Sequence, residues 1–166
     1  MNYVGNFSKY VPSKLIKTLL NRKEEKHYFT EDDRKESDAV VWAAAGYNLD
    51  KISYYSFDDY RYKDLIKLPK FFGNVLEIWF TKLDPGDMFP AHQDVYSYKE
   101  NPSNIHRYCM MLQDYEIGHV FVCEGKHLED YKLGDTYEFN HEHAWHGACN
   151  IGLTPRLTMQ IVCEKN

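Results

Sequence analysis

The chain has no CxxC pair. Its four cysteines, Cys109, Cys123, Cys149 and Cys163, lie far apart, with no paired metal-ligand spacing among them. They read as reduced thiols in strands, and the expected location is cytoplasmic. A basic excess is also missing: 20 Lys and Arg stand against 25 Asp and Glu, for a net charge of -5. That balance excludes the clustered positive footprint of a duplex binder, so no nucleic-acid partner is expected. No apolar run approaches the roughly 20 residues of a spanning helix, so no membrane partner is expected either. Met1-Asn2-Tyr3-Val4-Gly5 lacks the charged start and apolar stretch of a secretory signal. Repeats and low-complexity segments are absent as well. What remains is 166 residues, 43% hydrophobic, enough to bury a core without metal or disulfide staples. The expectation is a single domain over residues 1–166.

The period of the hydrophobic pattern changes along the chain. Over residues 12–20, Leu15, Ile16, Leu19 and Leu20 fall at helical spacing behind Pro12 and Ser13. Residues 22–37 are mostly charged and read as a solvated connection. Short helices are expected over 40–45 and 63–68. Residues 47–62 are rich in tyrosine, read as buried packing or as a recognition wall. After Gly73, segments 75–83, 107–113, 119–123, 136–139, 144–150 and 156–163 read as strands. Asp84-Pro85-Gly86-Asp87 makes a turn, and glycines fall beside the other breaks. Short strands at this spacing predict a mainly β fold with N-terminal helices, a jelly roll rather than βαβ units. Residues 1–73 would form a helical, Tyr-rich part packing on a β core over residues 74–166.

The histidines carry the chemistry. In His92-Gln93-Asp94 an extended backbone points residues 92 and 94 the same way, so both can reach one metal ion. His146 is the best third ligand. Two histidines and a carboxylate on one face of Fe(II) form the facial triad, which keeps positions open for a chelating cosubstrate and dioxygen. Arg156 lies ten residues after His146, across a Gly-Leu-Thr-Pro turn. A returning strand brings its guanidinium back toward the metal, where it can pair with the distal carboxylate of a dicarboxylic acid. Thr158 and Gln160 share that face. Trp145 and Asn150 flank His146 and could orient it. A competing zinc site would use His141, His143 and His146, but by strand alternation the first two face away from the third. His27, His106, His119 and His127 have no partner spacing and read as solvated or packed.

Three segments together resemble the Fe(II)- and 2-oxoglutarate-dependent oxygenases, and within them the aspartyl/asparaginyl β-hydroxylase-like branch with its small phage-encoded members. Leu83-Asp84-Pro85-Gly86-Asp87-Met88-Phe89-Pro90-Ala91-His92-Gln93-Asp94 is similar to that branch's Leu-x-Pro-Gly-x-x-x-Pro-x-His-x-Asp. His106-Arg107-Tyr108-Cys109-Met110-Met111-Leu112 resembles its basic strand. Leu133-Gly134-Asp135-Thr136-Tyr137-Glu138-Phe139-Asn140, through His146-Gly147-Ala148-Cys149-Asn150 to Arg156-Leu157-Thr158, resembles its Gly-Asp strand and terminal His…Asn…Arg element. The likeness spans about half the chain.

The resemblance implies a cupin-like double-stranded β-helix with Fe(II) on His92, Asp94 and His146. It implies 2-oxoglutarate held by Arg156 with help from Thr158, and Arg107 touching cosubstrate or substrate. The family's usual Arg-x-His here reads Arg107-x-Cys109. Val162 stands where nucleic-acid demethylases of the superfamily carry a second arginine. The implied activity is hydroxylation of a C–H bond in an amino-acid side chain or a small polar molecule, consuming dioxygen and releasing succinate and carbon dioxide. If the chain is phage-encoded, the host cytoplasm is the expected location. Two other readings use the same residues: a sensor that binds iron and 2-oxoglutarate without turnover, and a cupin-like metalloenzyme that does not use 2-oxoglutarate.

Overall fold

A computed structural model describes residues 1–21, 26–28, 37–47, 53–58, 65–93, 104–139 and 144–165. Among these the chain is mainly β. The strands are β1 (Asn2–Asn6), β2 (Lys26–Tyr28), β3 (Ser53–Asp58), β4 (Asn74–Leu83), β5 (Met88–His92), β6 (Ile105–Met111), β7 (His119–Cys123), β8 (Lys126–His127), β9 (Asp135–Phe139), β10 (His146–Asn150) and β11 (Arg156–Glu164). Two helices, α1 (Ser13–Asn21) and α2 (Ser37–Ala44), precede most of them. Every strand pair is antiparallel. One sheet runs β1-β9-β6-β11-β4-β3, with β2 beside β3, and a second runs β5-β10-β7-β8. A single pairing, Ser53 with Met88, joins the two. This is the double-layered jelly roll that the strand spacing predicts. No described helix is long and apolar enough to cross a membrane.

Strand alternation divides the first sheet into two faces. On one face Phe80, Tyr108, Met110, Leu157, Met159 and Ile161 pack against Leu15 and Leu19 of α1. Both leucines are buried, so the 3.6-residue period of this helix marks a real core face. Phe72, the last residue of a short 3-10 turn, packs edge-on with Tyr108 at 5.2 Å and closes the same layer. On the opposite face Cys109, Met111 and Phe139 meet Phe121, Cys123 and Ala144, from the second sheet and the segment leading into it. The interior between the sheets is where the candidate site lies.

The N-terminal part differs from the helical block expected of it. It supplies three strands: β1 pairs with β9, and β3 pairs with β4. Asn-Tyr-Val-Gly-Asn and Ser-Tyr-Tyr-Ser-Phe-Asp lack a clean apolar alternation, and pairing to a sheet edge overrides such weak local preference. β2 likewise falls in the segment read as a solvated connection. The helix expected over 40–45 is present as α2. Of the one expected over 63–68, residues 63 and 64 lie outside the described residues, Leu65 is 3-10 helical and residues 66–68 are irregular; Pro69 then starts the 3-10 turn over Lys70–Phe72. All four cysteines sit on strands, unpaired.

The turn after β4 is as expected. Asp87 N donates to Asp84 O at 2.9 Å, and Gly86 takes φ +90, which few other residues accept. Asp87 returns a carboxylate oxygen to Asp84 N at 3.0 Å.

Candidate functional site

β5 and β10 lie side by side with His146 directly opposite His92. Their rings are 4.3 Å apart, and both side chains are buried. His92 Nδ1 donates to Pro90 O at 2.8 Å and His146 Nδ1 donates to Ala144 O at 2.9 Å. A carbonyl only accepts, so each Nδ1 carries a proton, the arrangement in which a neutral ring offers Nε2 to a metal. The register slips between His146 and Ala148, where Gly147 faces Pro90 and Ala91. Pro90 has no N–H to donate, and a side chain at Gly147 would press on Ala91 at 3.0 Å. Trp42 of α2 donates from Nε1 to Ala91 O at 2.8 Å and presents its ring edge to His92. α2 thereby braces the strand that carries His92, a role no sequence motif announced.

Asp94, His141 and His143 lie outside the described residues. Among those described, no group of three His, Cys, Asp or Glu side chains gathers as a metal site.

Both histidines line a cavity of about 130 Å³, together with Arg156, Thr158, Gln160 and Arg107. Arg156, Thr158 and Gln160 alternate along one face of β11, as their spacing requires. Thr158 lies opposite Thr81 of β4, whose side chain also borders the cavity. Thr81 was not picked out in the sequence, because a lone threonine in an apolar strand carries no signal. Arg156 is buried, and its Nε and Nη2 have no hydrogen-bond partner among the described residues. Those two N–H groups form one edge of the guanidinium, the edge that takes a carboxylate side-on. The ring of Phe121 lies 5.4 Å from the guanidinium. Arg107 reaches in from β6, stacked 5.0 Å from Trp79 and 4.7 Å from Phe139. Burial pushes its guanidinium down from 12.5 to about 9, still a cation at neutral pH. Cys109 points to the same region and accepts from Gln160 Nε2 at 3.3 Å; burial pushes its thiol up, so it stays protonated despite Arg156 and Arg107 nearby.

Asn150 does not orient His146. Its Nδ2 donates to Leu83 O and Thr154 O, both at 2.8 Å, and its Oδ1 accepts from Gly152 N at 3.0 Å. It fixes the turn that returns the chain to Arg156. Trp145 is half exposed.

His106, His119 and His127 are tied elsewhere, and the His27 side chain lies outside the described residues. His106 and Tyr108 both bond Glu138 on the face away from the cavity. Burial opposes the Glu138 charge, yet these two hydrogen bonds hold its carboxyl below the usual range. His127 contacts Glu129 at the surface.

His119 is wholly buried and donates from Nε2 to Thr154 O at 3.0 Å. Burial, then the Arg156 charge, lowers its pKa below 6.5, against the Thr154 bond and Glu116. A depressed pKa means the unfolded chain binds the proton more readily, so stability is full above pH 6.5 and falls as the pH drops below it. Melting curves between pH 5 and 8 should show this fall, and His119→Asn should flatten it.

No protein-family model matches the chain, and no curated protein matches it. The fold is similar to several solved structures. A predicted oxalate decarboxylase from Thermotoga maritima aligns over 68% of this chain and 82% of its own, with 16% identity and a TM-score of 0.43. KdgF from a Halomonas species aligns over 68% and 80%, with 15% identity and a TM-score of 0.41. A non-heme monooxygenase, ThoJ in complex with nickel, aligns over 55% of this chain and 44% of its own, with 16% identity and a TM-score of 0.46.

Proposed function

We propose that the chain is an Fe(II)- and 2-oxoglutarate-dependent dioxygenase that hydroxylates a C–H bond. The observation that carries this reading is the pairing, in one cavity, of two facing histidines, each held through Nδ1 by a backbone carbonyl, with a buried guanidinium edge that lacks a partner among the described residues. A buried cation without a counter-charge is costly, and a dicarboxylate anchored at the histidines would supply that charge. His92 and His146 would hold the iron, with Asp94 as the proposed third ligand. Fe(II) with 2-oxoglutarate supplies oxidative decarboxylation to succinate and carbon dioxide, coupled to hydroxylation by dioxygen.

The chain's own part is placement. Arg156 and Thr158 receive the distal carboxylate, Arg156 bidentately and Thr158 through its hydroxyl. Arg107, held between two aromatic faces, adds a second cation for cosubstrate or substrate. Phe89 and Phe121 give the cavity apolar walls that exclude water. The proposed substrate is an amino-acid side chain or a small polar molecule.

The direct test is succinate release from 2-oxoglutarate by the iron-loaded protein under air, with an anaerobic control. Slow, oxygen-dependent succinate formation, rising with a true substrate, supports the dioxygenase. Tight 2-oxoglutarate binding with no succinate under any condition identifies a sensor, and no binding at all identifies a metalloprotein of another kind.

A further inference from the structure

Gln160 is 7% exposed and lines the cavity that holds the two histidines. Its Nε2 donates to Cys109 Sγ at 3.3 Å, and its Oε1 is buried with no hydrogen-bond partner among the described residues. Sulfur is a weak acceptor, so the amide is poorly served at one atom and unserved at the other. A buried carbonyl without a donor is a standing cost. Packing alone would be met by methionine or leucine, as it is at the neighbouring Met159 and Ile161 by apolar side chains.

Its place along the strand says which ligand meets it. The ladder with β6 sets Thr158 opposite Met111, Gln160 opposite Cys109 and Val162 opposite Arg107. Four residues of strand put the Gln160 backbone about 13 Å from that of Arg156, so the two side chains serve different ends of the cavity. Arg107 lies one two-residue step beyond Cys109 on the same face of β6, its guanidinium between Trp79 and Phe139. At neutral pH every oxygen of 2-oxoglutarate is an acceptor, and an amide oxygen is an acceptor too. Gln160 Oε1 therefore has nothing to take from the cosubstrate. Its partner is a molecule that brings an N–H or O–H, and the neighbouring cation calls for an anionic group on that same molecule.

We propose that Gln160 determines specificity for the primary substrate, and that this substrate is a free α-amino acid. Gln160 Oε1 accepts from its ammonium while Arg107 pairs with its carboxylate. An ammonium has donors and no lone pair, which matches an atom that only accepts, and the bond is charge-assisted. This rests on the dioxygenase reading and narrows its substrate to one class.

The test compares wild type, Gln160→Met and Gln160→Glu as iron-loaded proteins with 2-oxoglutarate. The probes are the common protein amino acids and, for each that acts, the acids of the same skeleton with hydroxyl or hydrogen in place of the amine. Succinate release is read in air, and dissociation constants are read by calorimetry without oxygen. At least one amino acid should bind wild type and speed succinate release. Its amine-free analogues should bind about tenfold more weakly or worse, the loss of one charge-assisted hydrogen bond. Gln160→Met should weaken that amino acid by a similar factor, leave 2-oxoglutarate within about twofold, and melt no lower than wild type without ligand. Gln160→Glu, which keeps an acceptor in the place of Oε1, should restore binding. The proposal is overturned if 2-oxoglutarate is turned over but no amino acid acts, or if the amine-free analogues bind as well. It is overturned too if Gln160→Met weakens 2-oxoglutarate as much as the amino acid, which would assign the amide to the cosubstrate. Gln160→Glu binding the amino acid worse than Gln160→Met would also overturn it, because the amide would then be a donor. If wild type neither binds 2-oxoglutarate nor forms succinate, the dioxygenase reading falls, and this assignment with it.

Discussion

On the proposed function, Arg156→Met should remove tight 2-oxoglutarate binding while leaving the unliganded protein as stable as wild type, or more stable. Both halves follow from the same geometry. The guanidinium is buried, and among the described residues its side-on edge has no hydrogen-bond partner and no carboxylate forms an ion pair with it. Exchange for an apolar side chain of similar length removes a desolvated charge, which is often neutral or favourable for folding. Bound ligand reverses the balance, because truncating one member of a buried, hydrogen-bonded charge pair costs about 2–5 kcal/mol. Affinity should therefore fall by roughly 30-fold to several-thousand-fold. Arg156→Lys should recover part of it, since an ammonium keeps the charge and loses the fork. Calorimetric titration and melting of the same samples check both halves. A variant that loses stability and affinity together would mean that Arg156 holds the fold rather than the ligand.

Gly134→Ala should be among the most damaging single changes in the chain. Gly134 sits at the tight entry to β9 with φ +85, and a Cβ there would stand 2.1 Å from Ser8 N and 2.4 Å from Ser8 Cα. Both are backbone atoms, so no rotamer can relieve the overlap. Phe7 N donates to Gly134 O and Gly134 N to Met111 O, each at 2.8 Å, which pins the backbone on both sides. The left-handed conformation costs about 1–3 kcal/mol for a residue with a side chain, and overpacking adds about 1–3 kcal/mol. The damage falls where the N-terminus joins the first sheet, so β1 should lose its protection first. Hydrogen exchange at β1 and β9 checks this, and equal exchange in variant and wild type would contradict it. Gly125→Ala is the matched control, because it also has positive φ but open space around its Cβ position.

What the sequence revealed depended on how locally each feature is encoded. β4, β7 and β11 are dense in β-branched and aromatic residues, and their limits were legible to within a residue. β1 and β3 are polar or tyrosine-rich, and their pairing is set by the sheet edges they meet. β5 was blurred by Pro90, whose place in the strand is tolerated because the ladder bulges at Gly147. At the site, the stripe Arg156, Thr158 and Gln160 follows from the period of two, and the approach of His146 to His92 follows the motif order. Thr81 and Trp42 were invisible for a common reason. Each reaches the cavity region or its bracing strand through tertiary pairing, with no neighbour in sequence to mark it. Asn150 was visible but misassigned, because its neighbour His146 suggested a link that the side chain does not make.

The central claim is that one cavity holds iron on His92 and His146 and a dicarboxylate on Arg156. Its most direct test is an anaerobic titration of the apo-protein with Fe(II) and then 2-oxoglutarate, following the visible iron-to-2-oxoglutarate charge-transfer band. Wild type, His146→Ala and Arg156→Met are run side by side. The account predicts a band in wild type, none in His146→Ala, and in Arg156→Met a band only at far higher 2-oxoglutarate. Iron bound to wild type with no band on adding 2-oxoglutarate, or a band unmoved by Arg156→Met, would contradict it.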